Sequence, residues 1–197
     1  MFDCAFCRTP YPKDDAHRLA MIHARVAKKD PDAINFLGHK YYQGDLGLQK
    51  DKRKAVELWT EAAELGSVHA FFNLGVDHYY GRGVQQDMAK AIHFHEKAAM
   101  QGHVDSRHIL GCIEGQEGNY DRAVRHHLIS AKMGDEDSLG TIKRAFMDGI
   151  ASKEQYAEAL RGYQQAVEEI KSNDRVEATR LDTRRRRLHH RRLEDKK

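Results

Sequence analysis

The chain has 197 residues, 40% hydrophobic and 32% charged, with 3 Pro, 15 Gly and a net charge of +3. That is enough length and apolar content for one folded domain with tails, and no apolar run approaches the roughly 18 residues that cross a bilayer. Three cysteines, Cys4, Cys7 and Cys112, are too few and too unevenly placed for a disulfide-stapled secreted fold, so an intracellular location, cytoplasmic or nuclear, is expected.

Residues 1–14 form a cysteine-containing segment that lacks the basic stretch and apolar core of a signal peptide. Residues 15–30 read as a single capping helix, with Leu19, Met21, Ile22 and Val26 facing inward. From 31 to 172 a self-match at fixed spacing dominates. Asp32-Ala33-Ile34-Asn35-Phe36-Leu37-Gly38 matches His69-Ala70-Phe71-Phe72-Asn73-Leu74-Gly75 and then Ser106-Arg107-His108-Ile109-Leu110-Gly111. Each of the three is followed by a second match, beginning Lys54-Ala55, Lys90-Ala91 and Arg122-Ala123, and a fourth copy of that second match begins Glu158-Ala159. The units run about 31–66, 67–102, 103–134 and 135–172, each a helix A, a loop, a helix B and a tight turn. The remainder, 173–197, is a basic tail with ten Lys/Arg against five Asp/Glu.

The periodicity predicts which residues pack. Ala33, Phe36, Leu37 and Tyr41 form one apolar stripe of the first helix A, and Ala55, Leu58, Trp59, Ala62 and Leu65 that of the first helix B. Asp30-Pro31 reads as an N-cap with Pro at the first helical position, and Ser152 with Gln155 as a capping box. Gly66, Gly102 and Gly134 stand where a left-handed residue closes a helix B. Gly38, Gly75 and Gly111 fall inside a helix, where Gly costs about 1 kcal/mol against Ala. Close approach of the partner helix offsets that cost, and Trp59, Phe71, Phe72 and Phe94 fill the space between units. Leu48 and Val84, in the long first and second loops, dip back toward the core, and Asp51 and Asp87 cap the helices that follow.

These features together resemble a known class. An internal Leu-Gly, a Tyr-x-x-Gly or Tyr-Gly-x-Gly turn, a Lys-Ala helix B and an Ala-Ala-x-x-Gly close are similar to Sel-one-like repeats, a subclass of tetratricopeptide-like repeats. The second unit carries the pattern most fully, in Leu74-Gly75, Tyr79-Tyr80-Gly81-Arg82-Gly83-Val84, Lys90-Ala91 and Ala98-Ala99-Met100-Gln101-Gly102. The third lacks the Tyr-Gly turn, and the fourth has Ile142-Lys143 in place of Leu-Gly. The resemblance implies an all-α fold, a right-handed α-hairpin solenoid of about four TPR-like, Sel-one-like repeats. It further implies a scaffold or adaptor that binds a protein or peptide on its concave surface. Asn35, His39, Tyr42, Asn73, Asp77, His78 and His108, read as exposed polar and aromatic positions of helices A, are the expected partner-binding residues.

No nucleophile–base pairing, phosphate loop or H-E-x-x-H motif is legible, so neither an enzyme nor a small-molecule substrate is expected. His93 and His95, two apart, do not share a helix face, and the histidines read as surface or groove-lining residues. Cys112 reads as a small buried apolar residue. Cys4-Ala5-Phe6-Cys7 resembles the last ligand pair of a RING-type zinc finger, a half-site in need of two more ligands. No cofactor is expected unless Cys4 and Cys7 belong to a larger zinc site, which would make the chain the adaptor part of a ubiquitin ligase with its zinc domain truncated. Arg184, Arg185, Arg186, Arg187, Arg191 and Arg192 form a basic patch that would suit nucleic-acid phosphates, and this keeps a nucleic-acid-associated role open.

Overall fold

A computed structural model describes residues 14–171, and every regular element in that span is helical. In order these are α1 (Asp15–Val26), α2 (Pro31–Gln43), α3 (Lys52–Glu64), α4 (Val68–Tyr80), α5 (Met88–Met100), α6 (Val104–Gln116), α7 (Tyr120–Lys132), α8 (Glu136–Met147) and α9 (Lys153–Ile170). After α1 the helices alternate as A and B, making the fold all-α with about four paired-helix repeats. The chain divides into two compact units, one ending at Leu110 and one beginning at Gly111. The cysteine pair Cys4 and Cys7 and the arginine-rich tail lie outside the described residues.

In the first unit the helix ends follow from local chemistry. The Asp30 carboxylate accepts from the backbone N–H groups of Asp32 and Ala33, with Pro31 in the first turn. Asp51 and Asp87 cap α3 and α5 by accepting from Lys54 and Lys90 N–H, and Ser67 caps α4 through Ala70 N–H. Each satisfies donors that a helix start leaves without partners. Helices α2 and α4 both end in a left-handed glycine, Gly44 (φ 82°) and Gly81 (φ 68°), where a Cβ would be strained.

The core of this unit is built from Ile34, Leu37, Ala55, Leu58, Trp59, Ala62, Ala63, Ala70 and Leu74, and Leu19, Ile22, Val26 and Leu48 pack against it. Three expectations fail here, the first being Leu65, which stands at the C-cap of α3 beyond its buried stripe and is 43% exposed. Ile34, fully buried, takes the inward place assigned to Phe36, which is 47% exposed. Met21 also faces outward, because the inward stripe of α1 is covered by Leu19, Ile22 and Val26.

The helical glycines explain how A and B helices meet. A methyl group added to Gly38 would lie 2.5 Å from Trp59 Nε1, and one added to Gly75 would lie 2.7 Å from the His95 ring. In the second unit one added to Gly111 would lie 2.8 Å from the His127 ring. Trp59, His95 and His127 stand at matching places in successive B helices, so each of the first three repeats seats a flat ring on a bare patch of helix backbone. The indole N–H donates to the Asn35 carbonyl at 3.1 Å. His95 Nδ1 lies 3.3 Å from Ser106 Oγ, and His127 Nδ1 lies 3.2 Å from Ser138 Oγ. Both histidines and both serines are buried, which corrects the reading of these histidines as surface or groove-lining residues. Cys112 is corrected in the opposite sense: it is exposed, since the face of α6 that carries Gly111 is the one turned toward His127.

In the second unit Ala131, Ile142 and Ala159 form a small core with Leu128, Leu139 and Tyr156 around it. Ser152 and Gln155 make a reciprocal capping box at the start of α9. Lys143, in the place of the interlocking glycine, is exposed.

These contacts set apart two kinds of glycine. Gly75→Ala should destabilise the fold by about 1–3 kcal/mol, the usual cost of overpacking, because the His95 ring cannot retreat from the added methyl group. Gly140→Ala, on the open side of α8 with nothing within 4 Å, should instead stabilise by about 0.5–1 kcal/mol. Urea denaturation of the two variants measures both signs.

Candidate partner-binding site

Helices α2 and α4 lie close enough in the first unit for their side chains to form one network. Asn73 Nδ2 donates to Asn35 Oδ1 at 2.9 Å and lies 3.1 Å from His39 Nε2. An amide nitrogen only donates, so Nε2 accepts and His39 is neutral with its proton on Nδ1. Burial holds the His39 pKa below its ordinary value, and the charges of Lys40 and His69 push the same way. The His39 ring meets Trp59 edge-on at 5.2 Å, so the polar network rests directly on the ring seated against Gly38.

Aromatic groups flank this network. Exposed Phe36 lies under the Lys40 ammonium at 4.9 Å, a cation–π distance. Phe72 stacks on His103 at 4.6 Å, and His103 meets His69 edge-on at 5.5 Å. His103 Nδ1 accepts from Ser106 N–H at 3.2 Å, and burial lowers the His103 pKa. The result is a polar and aromatic strip in which His39 and His103 are held neutral.

The seven residues expected from the sequence divide. Asn35, His39 and Asn73 come together, although Asn35 and Asn73 are mostly buried and not the exposed groups expected of them. Tyr42 packs against Trp59 at 5.4 Å with Lys52 over its ring. His78 stacks on Phe94 at 5.5 Å. His108 is half-buried on α6. Asp77 is 2% exposed and so offers no surface to a partner. It lies on the inward face of α4 one turn after Leu74, and helix periodicity alone cannot tell a polar residue there from one facing solvent. Phe36, His69, Phe72 and His103 complete the strip without having been expected in it. For Phe36, His69 and Phe72 the signal was aromatic residues on helices A beyond the number the inner stripe can hold, whereas His103 stands just before α6.

Among the described residues no group of three or more His, Cys, Asp or Glu is placed to hold a metal, and no helix is long and apolar enough to cross a membrane. The Sel1 repeat model matches residues 31–67, 69–103 and 105–135, more than half of the chain. The chain belongs to the Sel1 repeat family. It is 30% identical over 161 residues, 78% of its length, to a chitin synthase regulator, SKT5, of Malassezia restricta. It is 33% identical over 100 residues, 48% of its length, to chitin synthase regulatory factor 3 of Schizosaccharomyces pombe. The chain spans 11% of the length of each. Among solved structures it is similar to a Sel1 repeat protein from Oxalobacter formigenes, with a TM-score of 0.64 and 30% identity over 79% of this chain and 66% of that one. It also resembles a protective antigen of uropathogenic Escherichia coli displaying an SLR fold, with a TM-score of 0.69 and 28% identity over 80% of this chain and 34% of that one. The strip thus lies on the A helices of the first two Sel1 repeats, with His103 at the close of the second matched segment.

Two buried groups of the first unit, His95 on α5 and Asp77 on the inward face of α4, make the stability of the repeats depend on pH in opposite senses. Burial lowers the His95 pKa to about 4, with His103 adding to the effect. The unfolded chain takes up a proton near pH 6.5 that the folded one refuses until about pH 4. The stability contributed by neutral His95 is therefore complete above about 6.5 and lost as pH falls toward 4. Burial raises the Asp77 pKa to about 6 against the opposing charges of Arg82 and Lys52, and Oδ2 has no hydrogen-bond partner. Between pH 3.8 and about 6 the folded chain keeps a proton that the unfolded one releases, so this contribution falls as pH rises. Asp77→Asn should accordingly raise stability by about 1–3 kcal/mol at pH 7.5 and by little at pH 3.5. Its stability should also climb more steeply than that of the native chain between pH 4 and 6, where the opposing Asp77 contribution is gone. Thermal melts across this range read the difference, and the His95 ring-proton resonance should titrate near pH 4.

Proposed function

We propose that this Sel1 repeat protein is an adaptor that binds a segment of a partner protein along the strip on α2 and α4. The observation that carries the reading is the Asn35–Asn73–His39 network flanked by exposed Phe36 and by the Phe72–His103–His69 stack. Aromatic rings offer large contact area at small entropic cost, and the edge of the exposed His69 imidazole can pair with a peptide backbone. His39 and His103, neutral by burial, give the strip little charge to desolvate. Membership of the family supports an interaction role, and the names of the two fungal relatives support a regulatory one directed at another protein. We extend this to a role in which the bound partner, or a protein held beside it, carries the activity being controlled. Cys4, Cys7 and the six tail arginines lie outside the described residues, so zinc-dependent ligase and nucleic-acid roles draw nothing from the geometry.

The test is affinity capture from native lysate with the full chain and with Phe36→Ala combined with His69→Ala. Both side chains are exposed, so the variant should melt within about 0.5–1 kcal/mol of the native stability. Partners of the native chain should be reduced roughly tenfold or more on the variant. Equal capture by the two would remove the strip from the interaction. Loss caused only by removing residues 173–197 would move binding to the tail.

A further inference from the structure

A cleft in the second unit opens where the repeat pattern omits a side chain. Tyr42 stands four residues after Gly38, and Tyr79 stands four after Gly75. Four after Gly111 stands Gly115. In the first repeat the Tyr42 ring lies against Trp59 at 5.4 Å. In the third, His127 takes the place of Trp59, and no ring lies over it from position 115. What remains is a cleft of about 430 Å³ between α6, α7 and α8, floored by Val124, His127, Ile142 and Ala145. That size falls within the roughly 300–1,000 Å³ of sites that hold small organic groups. A Cβ on Gly115 would meet only Ala123 Cβ, at 3.7 Å, so the backbone there leaves room for a side chain.

The mouth of the cleft carries charges of both signs. Arg144 donates to Thr141 Oγ1 at 3.1 Å, a bond that uses one of five guanidinium donors. Asp148, one turn further on, supplies a carboxylate. A phenol hydroxyl both accepts and donates, and so matches an arginine and a carboxylate at once, whereas a phenyl ring matches neither. We propose that this cleft is a docking site for a tyrosine side chain presented by a partner protein, which fills from outside the place that Tyr42 fills within the first repeat. The ring lies on His127 and Val124, and the hydroxyl lies between Arg144 and Asp148. The site is separate from the strip on α2 and α4 and does not depend on it.

Three full-length proteins test the assignment: native, Gly115→Ala and Gly115→Tyr. The alanine variant gains helix propensity but leaves most of the cleft open, while the tyrosine variant fills it from within. N-acetyl-tyrosinamide and N-acetyl-phenylalaninamide serve as probes, followed by NMR shifts of the Val124, Ile142 and Ala145 methyl groups. Saturable shifts with tyrosinamide are expected in the native protein, while Gly115→Ala, which puts one methyl group into the cleft, serves as the reference for melting. Gly115→Tyr should bind roughly tenfold more weakly or not at all, and should melt at a higher temperature than Gly115→Ala. Absence of saturable shifts in the native chain, or equal binding by Gly115→Tyr, would overturn the site. Equal binding of the two amides would overturn its assignment to tyrosine.

Discussion

A flat ring on one helix seated against a glycine on its partner is the contact on which the first three repeats depend. With no Cβ at Gly38, Gly75 and Gly111, the A helix presents bare backbone to Trp59, His95 and His127. The helix tolerates the entropic cost of glycine because the ring then buries its whole face and brings two helices into close register. Neighbouring positions follow from this one. Small residues, Ala70 and Ser106 in the first unit and Ser138 in the second, sit fully buried where the next A helix meets the ring-bearing helix. Where the ring is imidazole, a serine hydroxyl on that next helix meets its Nδ1. Where it is indole, alanine suffices, because the ring N–H is already satisfied by the Asn35 carbonyl.

The same contact supports the candidate binding strip. His39 rests edge-on against Trp59, and Asn73 holds both His39 and Asn35. The A helices are therefore tied to each other by polar bonds on one side and packed on rings on the other. A surface held this way is ordered in advance, which would lower the ordering cost of binding at the candidate strip. Burial lowers the pKa of both His39 and His103, and each ring accepts a hydrogen bond on a nitrogen that must then be unprotonated.

Departures from the pattern are as informative as its repetition. Gly115 in place of tyrosine opens a cleft in the second unit, and Lys143 in place of glycine leaves the last repeat without the ring contact. The smaller core of Ala131, Ile142 and Ala159 holds that end, with Phe146 stacked on Tyr156 at 5.6 Å. Exposed Met147 and Ile150 lie at the same end.

The sequence by itself determined the helical hairpins, their caps and the need for close approach at three glycines. These are local or periodic properties: a capping aspartate acts within three residues, and a repeat of about 36 is visible in one dimension. It carried less of the candidate strip. Periodicity assigns a face only to within a third of a turn, so Ile34 and Phe36 exchanged places, and Asp77 was read as exposed although it points inward. The spacing of the histidines suits no shared metal site, and spacing alone leaves His95 and His127 as surface or groove-lining residues. Only the packed structure shows that an imidazole on backbone, with one nitrogen on a serine, can stand where another repeat places tryptophan. Which polar groups lie inside is decided by whether a partner waits there to satisfy them, and that partner comes from the next helix rather than from the local sequence.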